Sequence, residues 1–306
     1  MEDETAGDPM TGLKWTKKTT RKIAEQLRSI HINISPNKVG DILKELDYSL
    51  RVNCKKKEST TKVTPQEREQ QFCYIKRLRQ EHLAKNYPAI SVDCKKKENI
   101  GDFKNSGQTW RKRAHEVNVY DFPSLRTGVG IPYGIFDIRL NFGFVVVGTS
   151  YDTPEFAVNA INKWYQHHGS IQYPQQEHLL ILADGGGSNS SRSRMWKYAI
   201  QKKLCNKHRL TVTVCHYPPG NSKYNPIERR LFSQITKNLM GTPLVSHETI
   251  LKYIKTTSTK TGLKVDAFLD EQLYEKGIKI SDEQMANLSI KFHDVFQKWN
   301  YTLSPQ

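Results

Sequence analysis

In HLLILADGGGSNSSRSRMWK (residues 178–197) a continuous apolar run stops at an acid, three glycines follow, and a segment rich in serine and arginine leads into a helix. A run of leucine and isoleucine without polar alternation is the pattern of a strand buried on both faces, as in a parallel sheet. Asp184 then stands at the tip of that strand. Gly185 to Gly187 supply a backbone that a bulky partner can approach closely, and Ser188 to Arg194 can meet phosphates.

Working outward, the same alternation of apolar run and amphipathic segment recurs. AISVD is a short strand ending in Asp93, and YGIFDIRLNFGFVVVGTS reads as a hairpin turning near Asn141–Gly143. TPEFAVNAINKWYQHH is a helix with Phe156, Ala160 and Trp164 on one face, and SRMWKYAIQKKLCNKH is a basic helix. LTVTVCHY is a further strand, and NPIERRLFSQITKNLMG a helix with Asn225 at its cap and Pro226 at its first position. Three strands in antiparallel succession, then alternating helices and strands, make a mixed α/β sheet flanked by helices. That order is the one the ribonuclease H-like fold uses, and it makes the strands ending in Asp93 and Asp184 neighbours.

The chain has 306 residues, with 47 Lys and Arg against 31 Asp and Glu, a net charge of +16. Such an excess favours a polyanionic partner, while no apolar run approaches the length of a spanning helix. The first residues, MEDETAGDPM, are acidic and lack the apolar core of a signal peptide. Cysteines 54, 73, 94, 205 and 215 are odd in number and form no CxxC pair, which points to reduced thiols in a cytoplasmic protein.

Residues 1–13 read as a loose tail. From Lys14 to Lys57 twelve Lys and Arg face four Asp and Glu. TRKIAEQLRSI places Ile23, Leu27 and Ile30 at helical spacing; after it, Ser35 suits an N-cap, Pro36 a first turn, and Val39, Ile42, Leu43 and Leu46 an apolar stripe. Two short helices around a tight turn in a basic segment form the helix-turn-helix pattern, with Asn37, Lys38 and Asp41 outward at the start of the second helix; an ordinary helical hairpin is the alternative. NCKKKESTTKVTPQ is a polar linker, and TPQE (64–67) is a capping box opening a helix to about Lys85. The expected domains are a helix-turn-helix region over 1–60, a linker and connecting helix over 61–88, and a catalytic domain with a C-terminal extension over 89–306.

Three acids stand out by position: Asp93, Asp184 and Glu228, the last in the first turn of its helix. Brought together they repel one another unless a cation lies between them. Mg²⁺ or Mn²⁺ suits carboxylate, water and phosphate oxygens, and two such ions about 4 Å apart can activate a nucleophile and stabilise a leaving oxygen in phosphodiester chemistry. Each acid also has a plainer reading: Asp93 as a polar strand end, Asp184 as half of a turn, Glu228 as a helix-capping residue after Asn225. Asp121 and Asp137 compete with Asp93. GGGSNS fails the dinucleotide fingerprint because Ser190 stands where the last glycine belongs. His167–His168 and Cys215–His216 lack metal-ligand spacing, and His216 reads as a strand-end residue near the site. Lys95–Lys97, Arg111–Arg113 and Lys202–Lys203 are solvated faces or a phosphate track; Lys95, Lys96, Arg192, Arg194, Lys223 and Arg229, with Asn37 and Lys38, are the candidate DNA contacts.

SVDCKKKENIGDFKNSGQTW (91–110), ADGGGSNSSRSRMWK (183–197), CHYPPGNSKYNPIERRLFS (215–233) and KWNYTLSP (298–305) together resemble the Rhodopirellula-type DDE transposases of bacterial insertion sequences, and NPIE is similar to the corresponding segment of mariner-like transposases. The resemblance runs from about Gly7 to the C-terminus. It implies a catalytic triad of Asp93, Asp184 and Glu228 holding two divalent ions, cleavage of DNA at transposon ends, joining of the freed 3′-hydroxyl to a target, and a homo-oligomer on DNA in the bacterial cytoplasm, associated with the nucleoid. Members of that family usually carry a further N-terminal helical element ahead of the part resembling GDPMTGLKWTKKTTRKIAEQL, so the resemblance implies an N-terminally truncated copy or a late start codon. A nuclease without strand transfer and a non-cutting, repressor-like DNA binder are the alternative functions.

Overall fold

The computed structural model describes residues 18–50 and 63–306 in full and the backbone of Thr5–Gly7 and Lys14–Thr16. The tail expected over 1–13, most of the linker expected over 53–66, and Cys54 lie outside the fully described residues. The chain divides into two compact units, Met1–Ser59 and Thr60–Gln306.

In the first unit β1 (Thr5–Gly7) pairs antiparallel with β2 (Lys14–Thr16). Helix α1 (Thr20–Ser29) starts where the Thr19 hydroxyl accepts from the Lys22 N–H, and α2 (Pro36–Glu45) where Ser35 accepts from Lys38. Ile23, Ala24 and Val39 form a small core, with Leu27, Ile34 and Leu43 against it. Asn37, Lys38 and Asp41 are exposed. Ile30 and Leu46, both expected in apolar stripes, are exposed as well: each is the C-cap residue of its helix, where the backbone leaves helical geometry and the side chain swings off the packed face.

In the second unit α3 (Pro65–Ala84) opens with the Thr64–Glu67 capping box and packs Ile75 against Ala89, Leu180, Leu182 and Tyr217. There follow β3 (Ala89–Cys94), β4 (Glu98–Ile100), β5 (Gly128–Asp137), β6 (Phe142–Gly148), α4 (Pro154–Trp164), α5 (Ser170–Gln172), β7 (His178–Ala183), α6 (Arg194–Ile200), β8 (Thr211–His216), α7 (Ser233–Leu239), α8 (His247–Lys255), β9 (Lys264–Asp270), α9 (Asp282–Ala286), β10 (Ile290–Phe292) and β11 (Asn300–Leu303). Among the described residues three helices contain a π-helical turn, in which the backbone bonds reach one residue further: Tyr165–Gly169 after α4, Gln201–Asn206 after α6, and Glu228–Phe232 before α7.

The strands form one sheet in the order β10-β11-β8-β7-β3-β5-β6-β9, with β4 on β5. β3, β5 and β6 are antiparallel, and β7 and β8 add in parallel on the far side of β3. This inner order is ribonuclease H-like. The hairpin turn occupies Ile138–Asn141 because the Asp137 carboxylate accepts from the N–H groups of Arg139 and Leu140 and Asn141 takes a left-handed φ of 51°. One face of the sheet packs Phe156, Trp164 and Trp196 from α4 and α6; the other packs Ile227, Leu231, Phe232, Ile250 and Ile254. Among the described residues no helix is long and apolar enough to cross a membrane.

Gly134 lies opposite Asp93 in the β3–β5 ladder, and a Cβ there would meet Phe232 at 2.5 Å and Ile227 at 2.9 Å. The absence of a side chain lets the helix carrying Glu228 lie directly on the sheet. Gly134→Ala is expected to destabilise the protein by about 1–3 kcal/mol through overpacking, read as a lower midpoint in a thermal melt.

Candidate active site

Alternation along β3 decides which way its side chains face. Ile90 and Val92 enter the core beneath α4 and α6, so Ser91 and Asp93 face the helix that opens at Pro226. β7 runs parallel beside β3 with Val92 opposite Ala183. The next residues on the two strands are Asp93 and Asp184, and the two acids leave the sheet side by side at the same end.

The third acid is delivered by a clasp between strand and helix. The Ser91 hydroxyl donates to Asn225 Oδ1, Asn225 Nδ2 donates to the Val92 carbonyl at 3.1 Å, and Ser91 Oγ accepts from the Ile227 N–H at 3.0 Å. Asn225 does not cap the helix with its own side chain; a hydroxyl from the sheet does so instead. The Asn225 N–H goes to the Ser222 carbonyl, so the Glu228 carboxyl does not fold back to close a capping box. It hydrogen-bonds the carboxyl of Asp93.

A bond between two carboxyl groups needs a proton, and the surroundings favour one. Burial first, then the charges of Asp184 and Glu228, push Asp93 up to about 8. Burial likewise raises Asp184 and Glu228; Asp152 adds to it at Asp184, while Lys95 opposes it at Glu228. Asp152 is a fourth carboxylate that the sequence reading passed over. Its Oδ1 is buried without a hydrogen-bond partner. Its one signal in the sequence was an acid in the short loop after a strand, just ahead of the Thr153–Pro154 helix start.

Neutral groups hold the acids in place. His216 is fully buried and donates from Nδ1 to the Asp184 carbonyl at 3.0 Å, which leaves Nε2 to accept from the Tyr301 hydroxyl at 3.1 Å. Burial depresses its pKa to about 4, so the ring is uncharged. Gly187, with φ +54°, opens a 3₁₀ turn through Asn189 that returns Asn189 to the two aspartates. Its Nδ2 reaches Asp93 Oδ1 at 3.5 Å, its side chain lies near enough to Asp184 to oppose the rise in that acid's pKa, and its Oδ1 accepts from the Tyr133 hydroxyl at 2.6 Å. Asn189, Tyr133 and Ser91 also escaped the sequence reading, since each acts through a contact distant in sequence.

The other candidates fall elsewhere. Asp137 is spent on the hairpin turn and on the Tyr173 hydroxyl, which donates to it. Asp121 is exposed in the loop before β5. Lys95 forms an ion pair with Glu98 and serves the acid cluster rather than the outer surface. Arg194 is paired with Asp282 at 2.6 Å and donates to the Ile280 carbonyl. Lys96, Arg192, Lys223 and Arg229 are exposed.

Among the described residues no three His, Cys, Asp or Glu side chains close around a point as a ready-made metal cage. The donor set nevertheless suits a hard divalent cation: it is all oxygen, it carries an orphaned carboxylate oxygen on Asp152, and its members repel one another in a way a cation would relieve.

A family model described as the Rhodopirellula transposase DDE domain matches residues 1–305. Among solved structures, the Mos1 transposase paired-end complex with left transposon end is 13% identical with a TM-score of 0.43, over 78% of this chain and 65% of that one. The Mos1 mariner paired-end complex with Mn is 13% identical with a TM-score of 0.44, over the same shares. The pre-cleavage Mos1 transpososome is 13% identical with a TM-score of 0.44, over 78% of this chain and 66% of that one. The chain thus spans less than two thirds of the length of these structures. A search of curated proteins finds no match.

The raised Asp93 carboxyl has a consequence for stability. An unfolded aspartate titrates near 3.9, and the folded one near 8. Between those values the folded state binds the extra proton, so stability is greatest below the unfolded value and is lost as pH rises through the window. Without divalent cation, Asp93→Asn is expected to melt higher than the parent, with the gap widening from about pH 4 to about pH 8. A gap that stays constant across a pH series of thermal melts contradicts the assignment.

Proposed function

The chain belongs to the Rhodopirellula transposase DDE-domain family, and from that premise we propose that it cleaves DNA at the ends of an insertion sequence and joins the freed 3′-hydroxyl to a target, with Asp93, Asp184 and Glu228 as the catalytic acids. The observation that carries this reading is the turn of Glu228 towards Asp93 in place of a capping role.

Asp93, Asp184 and Glu228 would hold two Mg²⁺ or Mn²⁺ ions, which supply activation of the attacking oxygen and stabilisation of the leaving oxygen. The chain's own part is positional. β3 and β7 fix the two aspartates in register, the Ser91–Asn225 clasp brings Glu228 to them, and neutral His216 anchors the Asp184 backbone without adding charge. Exposed Lys96, Arg192, Lys223 and Arg229 contact phosphates. In the first unit α2 is the recognition helix of a helix-turn-helix, with Asn37 and Lys38 at the DNA. The active form is a homo-oligomer on DNA, in the cytoplasm and associated with the nucleoid.

Glu228→Gln keeps size and polarity and removes the charge. Purified Glu228→Gln is expected to melt within about 1 kcal/mol of the parent, the size of a lost cap or helix-dipole contact, while Mg²⁺-dependent nicking of a labelled duplex bearing the element's ends collapses. Full nicking by the variant overturns the triad. Nicking by the parent without joined products assigns the chain to the nucleases, and end binding without nicking makes it a repressor-like binder. In a second test, Asn37→Ala with Lys38→Ala is expected to weaken binding to the element's ends more than to random duplex, with both affinities falling steeply with salt. Equal losses on the two would confine these residues to phosphate contact.

A further inference from the structure

The strands set the register of the two aspartates but not the spacing of their carboxyl groups, and one buried side chain lies against both. Asn189 is 1% exposed. Its amide nitrogen carries two N–H groups; one reaches Asp93 Oδ1 at 3.5 Å, at the long limit of a hydrogen bond, and the side chain lies beside Asp184 and favours its charged form. The carbonyl end is fixed by the Tyr133 hydroxyl at 2.6 Å, itself fully buried on β5. A flipped amide would turn its oxygen towards both carboxylates, so the tyrosine and the acids together permit one orientation. The backbone agrees: the Asn189 N–H donates to the Gly186 carbonyl at 3.1 Å, inside the turn that Gly187 makes possible.

We propose that Asn189, locked by Tyr133, is the positioning residue that sets the spacing of Asp93 and Asp184 for a divalent cation. The inference rests on the reading of those acids as metal ligands. Asn189 does not touch the reacting atoms; it acts through the two carboxylates, as residues behind a metal ligand commonly do. An aspartate in its place would remove both donors and add a charge, and an alanine would leave the two carboxyl groups without the amide that lies against them.

The test is Mn²⁺ binding by titration calorimetry on the full chain, free of DNA, at a temperature well below the melting point. The set is the parent, Asn189→Ala, Tyr133→Phe and, as reference, Asp93→Asn. The parent is expected to bind Mn²⁺ and Asp93→Asn to lose it. Asn189→Ala is expected to bind about 10–100-fold more weakly, the usual cost of removing a group behind a ligand, and Tyr133→Phe to weaken binding by a smaller factor with its ring volume preserved. A merely structural role would lower the melting point and leave the affinity below it unchanged. Affinity in Asn189→Ala equal to or tighter than the parent's, beside loss in Asp93→Asn, overturns the positioning role and leaves the acid site standing. No Mn²⁺ binding by the parent overturns both. Should Asn189→Ala fail to fold, Tyr133→Phe decides: unchanged affinity there overturns the proposal.

Discussion

The site depends on a few hydrogen bonds between one buried serine and one buried asparagine. Ser91 and Asn225 are both inaccessible to solvent and are separated by 134 positions in the sequence. Their contact seats the helix start on β3 at a fixed distance from Asp93. A buried hydroxyl or amide is costly when left unpaired; here each satisfies the other and a backbone group besides. Everything further along the helix follows from that seat, including the ridge of Ile227, Leu231 and Phe232 that rests on the opposite face of the sheet from α4 and α6.

Around this seat the protein assembles negative charge and surrounds it with groups that carry none. His216 is kept neutral by burial, Tyr133 keeps its proton for the same reason, and Asn189 contributes only a dipole. Lys95, the cation that acts on Glu228, is committed to an ion pair with Glu98. The cluster therefore remains short of positive charge from within the chain, which is the electrostatic condition for taking it from outside.

The elements that were legible in the sequence are those with a local cause. β7 is a continuous apolar run after His178, β3 and β8 are short segments rich in isoleucine and valine, and the Ser35–Pro36 and Thr64–Pro65–Glu67 signals opened α2 and α3 at the residues expected. The three acids stood out because each ends a strand or begins a helix. What was hidden has a non-local cause. The hairpin turn was displaced by the Asp137 side chain, and β9, β10 and β11 are short, polar-interrupted segments whose strand character comes from pairing with β6, with each other and with β8. Asn225 looked like a cap from spacing alone, and only the approach of Ser91 revealed a different use. Asn189 looked like loop composition until the fold brought Tyr133 to it.

The π-helical turn at Glu228–Phe232 bears on how such a chain can vary in length. At one end the segment is pinned by Asn225 to β3; at the other its apolar ridge is pinned onto glycines 134 and 143. A helix winds about 100° per residue, so ordinary pitch between two fixed anchors would satisfy only one of them, and the wider turn absorbs the mismatch. An insertion or deletion among Arg229, Arg230 and Leu231 is therefore not a surface event. It would rotate the acid away from the sheet or lift the ridge off the glycines, and the number of residues between asparagine and ridge is under the same constraint as their identity.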